Sequence, residues 1–164
     1  ERQRLEFLEE VRVLSWSDGS LTLHEFVLGV ILGEFLKPRA NRSEGRIRSW
    51  GPVVLGDLAR VLSLMAYSGV GTKPESAFAQ GKAAFERGET RYSALSLKPV
   101  SDLQPEALRQ SLGTLRGLIP ELKEVVLEAL VACALTDGNI GPRESETLRA
   151  VTLALDVPMP PALD

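Results

Sequence analysis

The chain has 164 residues, 44% of them hydrophobic, and a formal net charge of −3 carried by interspersed acidic and basic side chains. This suits one domain, or two small lobes sharing a core, and gives no ground for a nucleic-acid partner held through counterion release. The single Cys133 excludes an intrachain disulfide and a cysteine-built zinc site, while Glu34, Asp57, Arg60, Glu124 and Glu128 interrupt every apolar stretch before it reaches membrane-spanning length.

Aromatic residues make up 5% of the chain and few stretches alternate, whereas helical spacing recurs throughout, so the expected fold is an all-α bundle of about seven helices in one domain, 1–164. Apolar periodicity starts at once, at Leu5, and no methionine precedes Met65, so the chain reads as a cut through a longer protein. The first predicted helix covers about residues 2 to 16, with Leu5, Leu8, Val11 and Leu14 on one stripe. The second, about 23 to 36, is apolar around most of its circumference through Phe26, Val27, Leu28, Val30, Ile31, Leu32 and Phe35, and is expected at the centre.

Pro38 ends that helix. Residues 37–52 then form a loop in which Lys37, Arg39, Arg42, Arg46 and Arg48 face Glu44 alone. Such a loop is expected to be exposed and could meet anionic headgroups or an acidic partner, although most charge runs of this length are simply solvated. A third helix, about 53 to 68, lines up Gly56, Ala59, Ser63 and Ala66, small residues that would let a neighbouring helix come close, before Gly69 and Gly71 end it.

Thr72-Lys73-Pro74-Glu75 has capping-box spacing, so Thr72 is the expected N-cap of a fourth helix running to Arg87 and stopped by Gly88. Residues 89–101 read as an irregular connector. A fifth helix at about 105 to 117 turns Leu108, Leu112 and Leu115 inward. Pro120 fits the first turn of a sixth, which aligns Leu122, Val126, Leu130 and Cys133.

One pattern occurs twice. Ser17-Asp18-Gly19-Ser20-Leu21-Thr22-Leu23-His24-Glu25 matches Thr136-Asp137-Gly138-Asn139-Ile140-Gly141-Pro142-Arg143-Glu144, with Asp18 and Asp137 119 positions apart. Each copy has a hydroxyl residue before Asp-Gly, an apolar residue after it, and a closing glutamate. Glycine supplies a left-handed turn, and aspartate is at home in one. In hairpin one, 2–36, Thr22 and Glu25 form a capping box and Leu21 can staple against Phe26; in hairpin two, 104–157, Gly141 caps, Pro142 is first and Glu144 third.

The same spacing is the second half of a calcium loop, but the earlier ligand positions would be Leu14 and Trp16, or Cys133 and Leu135, none of which offers a carboxylate. His24-Glu25 begins the zinc-peptidase pattern H-E-x-x-H, yet Leu28 stands at the second histidine position and the chain has one histidine in all. The same shortage excludes a Ser-His-Asp or Cys-His nucleophile. The Gly29 to Gly33 spacing lacks the Lys-Ser or Lys-Thr of a phosphate loop. No catalytic, metal-binding or cofactor residue is therefore expected in this chain.

The paired hairpins, together with Leu118-Ile119-Pro120-Glu121-Leu122-Lys123 and the ending Leu155-Asp156-Val157-Pro158-Met159-Pro160-Pro161, resemble the TerB-like (tellurite-resistance) helical module. The likeness is to its form at the C-terminus of bacterial membrane-anchored zinc metallopeptidases related to HtpX and the CAAX prenyl proteases. That resemblance implies a cytoplasmic, non-catalytic accessory domain of an inner-membrane-anchored peptidase, with zinc held upstream and with the peptidase domain or other proteins as partners. The alternative it allows is a stress-response module that binds a divalent metal ion or a protein; Asp18, Gly19, Thr22, Glu25, Asp137, Gly138 and Glu144 are expected as structural residues of the two turns.

Overall fold

The computed structural model describes Gly29, which is helical, and residues 46–69, 71–88 and 95–159. The rest of hairpin one lies outside these, including Asp18, Gly19, Thr22 and Glu25, and so do Lys37, Arg39 and Arg42 of the basic stretch. Among the described residues there are five α-helices: α1 (Pro52–Ser68), α2 (Pro74–Gly88), α3 (Pro105–Arg116), α4 (Pro120–Ala134) and α5 (Pro142–Leu155). A 3-10 turn, Val100–Asp102, precedes α3.

All five helices begin on a proline. Its fixed φ suits the first helical position, and the N–H it lacks would have no intrahelical acceptor there. The residues before the prolines of α1, α3, α4 and α5 are extended, as the proline ring requires of its predecessor. In α2 this places Lys73 at the cap, its carbonyl accepting from the N–H groups of Ser76 and Ala77. The capping box expected on Thr72 is thus out of register by one residue, because Pro74 takes the first helical position.

The core is built from Leu58, Leu62 and Met65 of α1, Phe85 of α2, Leu108 and Leu115 of α3, Leu130 of α4, and Leu148 and Leu155 of α5, all essentially inaccessible to solvent. Burial of each such side chain stabilises by about 1.5–3 kcal/mol. The inward faces expected of α3 and α4 are present, with Leu108, Leu112, Leu115, Val126, Leu130 and Cys133 buried and Leu122 packed at the margin. The most extensive helix pair is α2 with α4. Its closeness depends on Gly81, where a Cβ would stand 2.6 Å from Leu62 Cδ1 and 2.8 Å from the Ala129 carbonyl oxygen.

One connecting stretch differs from its sequence reading. The end of the basic stretch is a seam rather than a free loop: Ile47 pairs in parallel with Leu118, its N–H reaching Gly117 O at 2.9 Å and its carbonyl accepting from Ile119 at 3.0 Å. Trp50 follows, buried edge-on against Phe85 at 4.9 Å between ring centroids. Apolar Ile47 and Trp50 pull this stretch inward, leaving Arg46 and Arg48 exposed on it.

The small-residue stripe of α1 also meets the connector: the Lys98 N–H donates to Ser63 Oγ at 2.9 Å while that hydroxyl donates to Ala59 O. Leu95 of the same connector is buried in the core. A chain with Leu95 to bury cannot leave its connector wholly on the surface.

Candidate functional site

Hairpin two is assembled from local rules. α4 ends at Ala134, and Gly138 takes φ 86°, its N–H donating to Leu135 O at 3.0 Å. Thr136 Oγ1 donates to Cys133 O at 2.7 Å, satisfying one carbonyl at the helix end. Asp137 Oδ1 accepts from the Asn139 N–H at 3.1 Å, an Asx turn. Glu144, third residue of α5, accepts from the Gly141 N–H at 2.7 Å. Asp137, Gly138 and Glu144 therefore share one turn, and each carboxylate has a backbone N–H to hold.

Glu144 does more than the sequence suggested. It is only 5% exposed, and its Oε1 stands 3.0 Å from where a Cβ on Gly69 would lie, so its carboxylate lies against the α1–α2 corner while it caps its own helix. Burial pushes its carboxyl above the usual range, the Gly141 N–H pulls it back, and the Asp137 charge adds to the rise. Cys133, beneath the turn, has its thiol pushed up to about 12 by burial and by the charge of Glu144. Such a thiol carries almost no thiolate near neutral pH.

α5 closes in the same local manner. Asp156 adopts the left-handed conformation, φ 57°, with its N–H on Leu153 O and the Val157 N–H on Thr152 O, a Schellman motif. Lys123 reaches across from α4 and donates from Nζ to Leu155 O at 2.7 Å. That side chain is 9% exposed; burial lowers the amine's pKa, Asp156 opposes the shift and Arg116 adds to it. A cation at a helix C-terminus is favoured by the helix dipole, which explains why a lysine sits there.

Beside these two closures lies a groove of about 960 Å³. One wall is the outward face of α4, with Glu124, Leu127, Glu128 and Val131; the other is the chain after α5, Val157 to Met159, and the end of α2 at Arg87 forms part of the lining. Leu135 stands at its rim, 41% exposed. A volume of this size with mostly apolar lining and a few polar groups is the ordinary form of a binding site.

A second polar cluster ties α1 to α3. Ser111 Oγ stands 2.7 Å from Asp57 Oδ1, and Arg60 Nη1 donates to both, at 3.0 Å to the carboxylate and 2.7 Å to the hydroxyl. Three mutually bonded polar groups between packed helices secure the pairing of α1 with α3. The sequence offered one clue, Asp57 and Arg60 three residues apart in an apolar helix; Ser111 lies far along the chain.

Among the described residues no cluster of His, Cys, Asp and Glu could hold a metal ion, and no helix is long and apolar enough to cross a membrane. Comparison with protein-family models, with curated proteins and with solved structures finds no match to the chain.

Proposed function

We propose that the chain is a non-catalytic interaction domain of the TerB-like kind, serving a membrane-anchored bacterial zinc metallopeptidase from the cytoplasmic side and presenting the groove along α4 as its working surface. The observation that carries this reading is the groove itself. Leu127, Val131 and Met159 line its two walls half-buried and Leu135 stands exposed at its rim, while among the described residues most large apolar side chains are buried. The carboxylates of hairpin two are already committed to capping it, which favours a structural turn over a metal site.

The test has two parts. The coding sequence upstream is expected to contain H-E-x-x-H and transmembrane segments, and their absence would remove the peptidase assignment. In the full-length protein, Leu135→Asp is expected to slow cleavage of a protein substrate while cleavage of a short peptide and the melting temperature stay unchanged. Equal rates on the protein substrate would exclude the groove from that role.

A further inference from the structure

Resting on that reading of the groove as a partner surface, we infer that its occupant is an amphipathic helix with a basic flank. On α4 and its C-cap residue, Leu127, Val131 and Leu135 recur at four-residue intervals and form one apolar edge. From Leu127 to Leu135 that edge extends about 12 Å at 1.5 Å per residue, the length of about two turns of a second helix. Helices that dock in apolar grooves anchor through side chains at i, i+3 or i+4, and i+7, which matches an edge of this spacing. Met159, on the facing wall, is an unbranched side chain that adapts to different guests.

The charges select the flank. Glu124 and Glu128 are both exposed, lie one turn apart along the apolar edge, and have no cation within ion-pair reach among the described residues. Lys123, the cation nearest to them in sequence, is buried with its ammonium on Leu155 O. Among the described residues, Arg87 is the one exposed cation in the lining. A guest with lysine or arginine along one side of its apolar stripe would meet two carboxylates there, whereas an acidic guest would be repelled by both.

The probes are three labelled 14-residue helical peptides: leucine at helical spacing with lysine elsewhere, the same with glutamate for lysine, and the lysine peptide shuffled to destroy the stripe. Fluorescence anisotropy on this chain at low salt is expected to show the lysine peptide binding about tenfold more tightly than the glutamate peptide, with the difference shrinking as salt rises. In the double variant Glu124→Lys/Glu128→Lys the order should invert, with the melting temperature unchanged because both positions are exposed. Equal binding of lysine and glutamate peptides, abolished by Leu135→Asp, would overturn the basic-flank inference and leave the groove as a docking surface. A lysine preference that survives the charge reversal, binding of the shuffled peptide as tightly as the patterned one, or no binding at all would each overturn the inference outright.

Discussion

Gly81 of α2 faces Ala129 of α4 so closely that a Cβ on the glycine would stand 2.8 Å from the Ala129 carbonyl oxygen. Helix propensity alone favours alanine over glycine at such a position by about 1 kcal/mol. Contact with a backbone oxygen, and with Leu62 Cδ1 at 2.6 Å, cannot be relieved by turning one flexible side chain. We expect Gly81→Ala to destabilise the domain by about 1–3 kcal/mol, the usual cost of overpacking, read as a lower urea midpoint at unchanged m. A higher midpoint would mean that the helices separate without penalty.

Gly138 presents a different constraint, conformational rather than steric. Its φ of 86° is one that side-chain-bearing residues rarely adopt, yet a Cβ there would meet nothing within 4 Å. Gly138→Val is expected to cost about 1–2 kcal/mol and Gly138→Asn clearly less, because asparagine tolerates the left-handed region. Equal losses for the two in thermal unfolding would show that the backbone angle is not what selects glycine.

These two glycines mark the boundary of what the sequence discloses. Gly138 was legible because its role depends on neighbours within a few residues, as were Pro142 at the start of α5 and Glu144 as the third-position cap. Leu108, Leu112 and Leu115 were legible for the same reason, since helical periodicity is a local signal. Gly81, by contrast, owes its identity to Ala129 and Leu62, neither of which is near it in sequence, and the seam of Ile47 with Leu118 joins segments about 70 positions apart. The groove was invisible for a further reason: the inward face of α4 was legible, but Leu127 and Val131, set among Glu124 and Glu128 on its other side, become a groove wall only because Val157 to Met159, beyond α5, lie across from them.

Ser111 supplies the third expectation. Its hydroxyl is bonded to Asp57 and accepts from Arg60, so Ser111→Ala removes one member of a shared network and leaves a largely buried carboxylate with one fewer donor. A loss of about 1–3 kcal/mol is expected. In a double-mutant cycle with Asp57→Ala the two changes should be non-additive by at least about 0.5 kcal/mol. Strict additivity would mean that the two groups act independently despite their contact.

The last expectation separates the two tasks of Glu144, capping and charge. Because burial raises its carboxyl in the folded chain above the ordinary 4.5, the native state holds that proton more tightly than the unfolded chain does. Its favourable contribution is complete below the unfolded value and is lost as pH rises through the folded one. Stability should therefore fall with pH above about 4.5 by more in the native sequence than in Glu144→Gln, which has no charge to bury but keeps an oxygen for the Gly141 N–H. At pH 7 Glu144→Gln is expected to be at least as stable as the native chain, whereas Glu144→Ala, which loses the cap, should be less stable by about 1 kcal/mol. Thermal unfolding from pH 4 to 8 distinguishes the cases, and a glutamine variant as weak as the alanine one at pH 7 would show that the turn requires the ionised carboxylate itself.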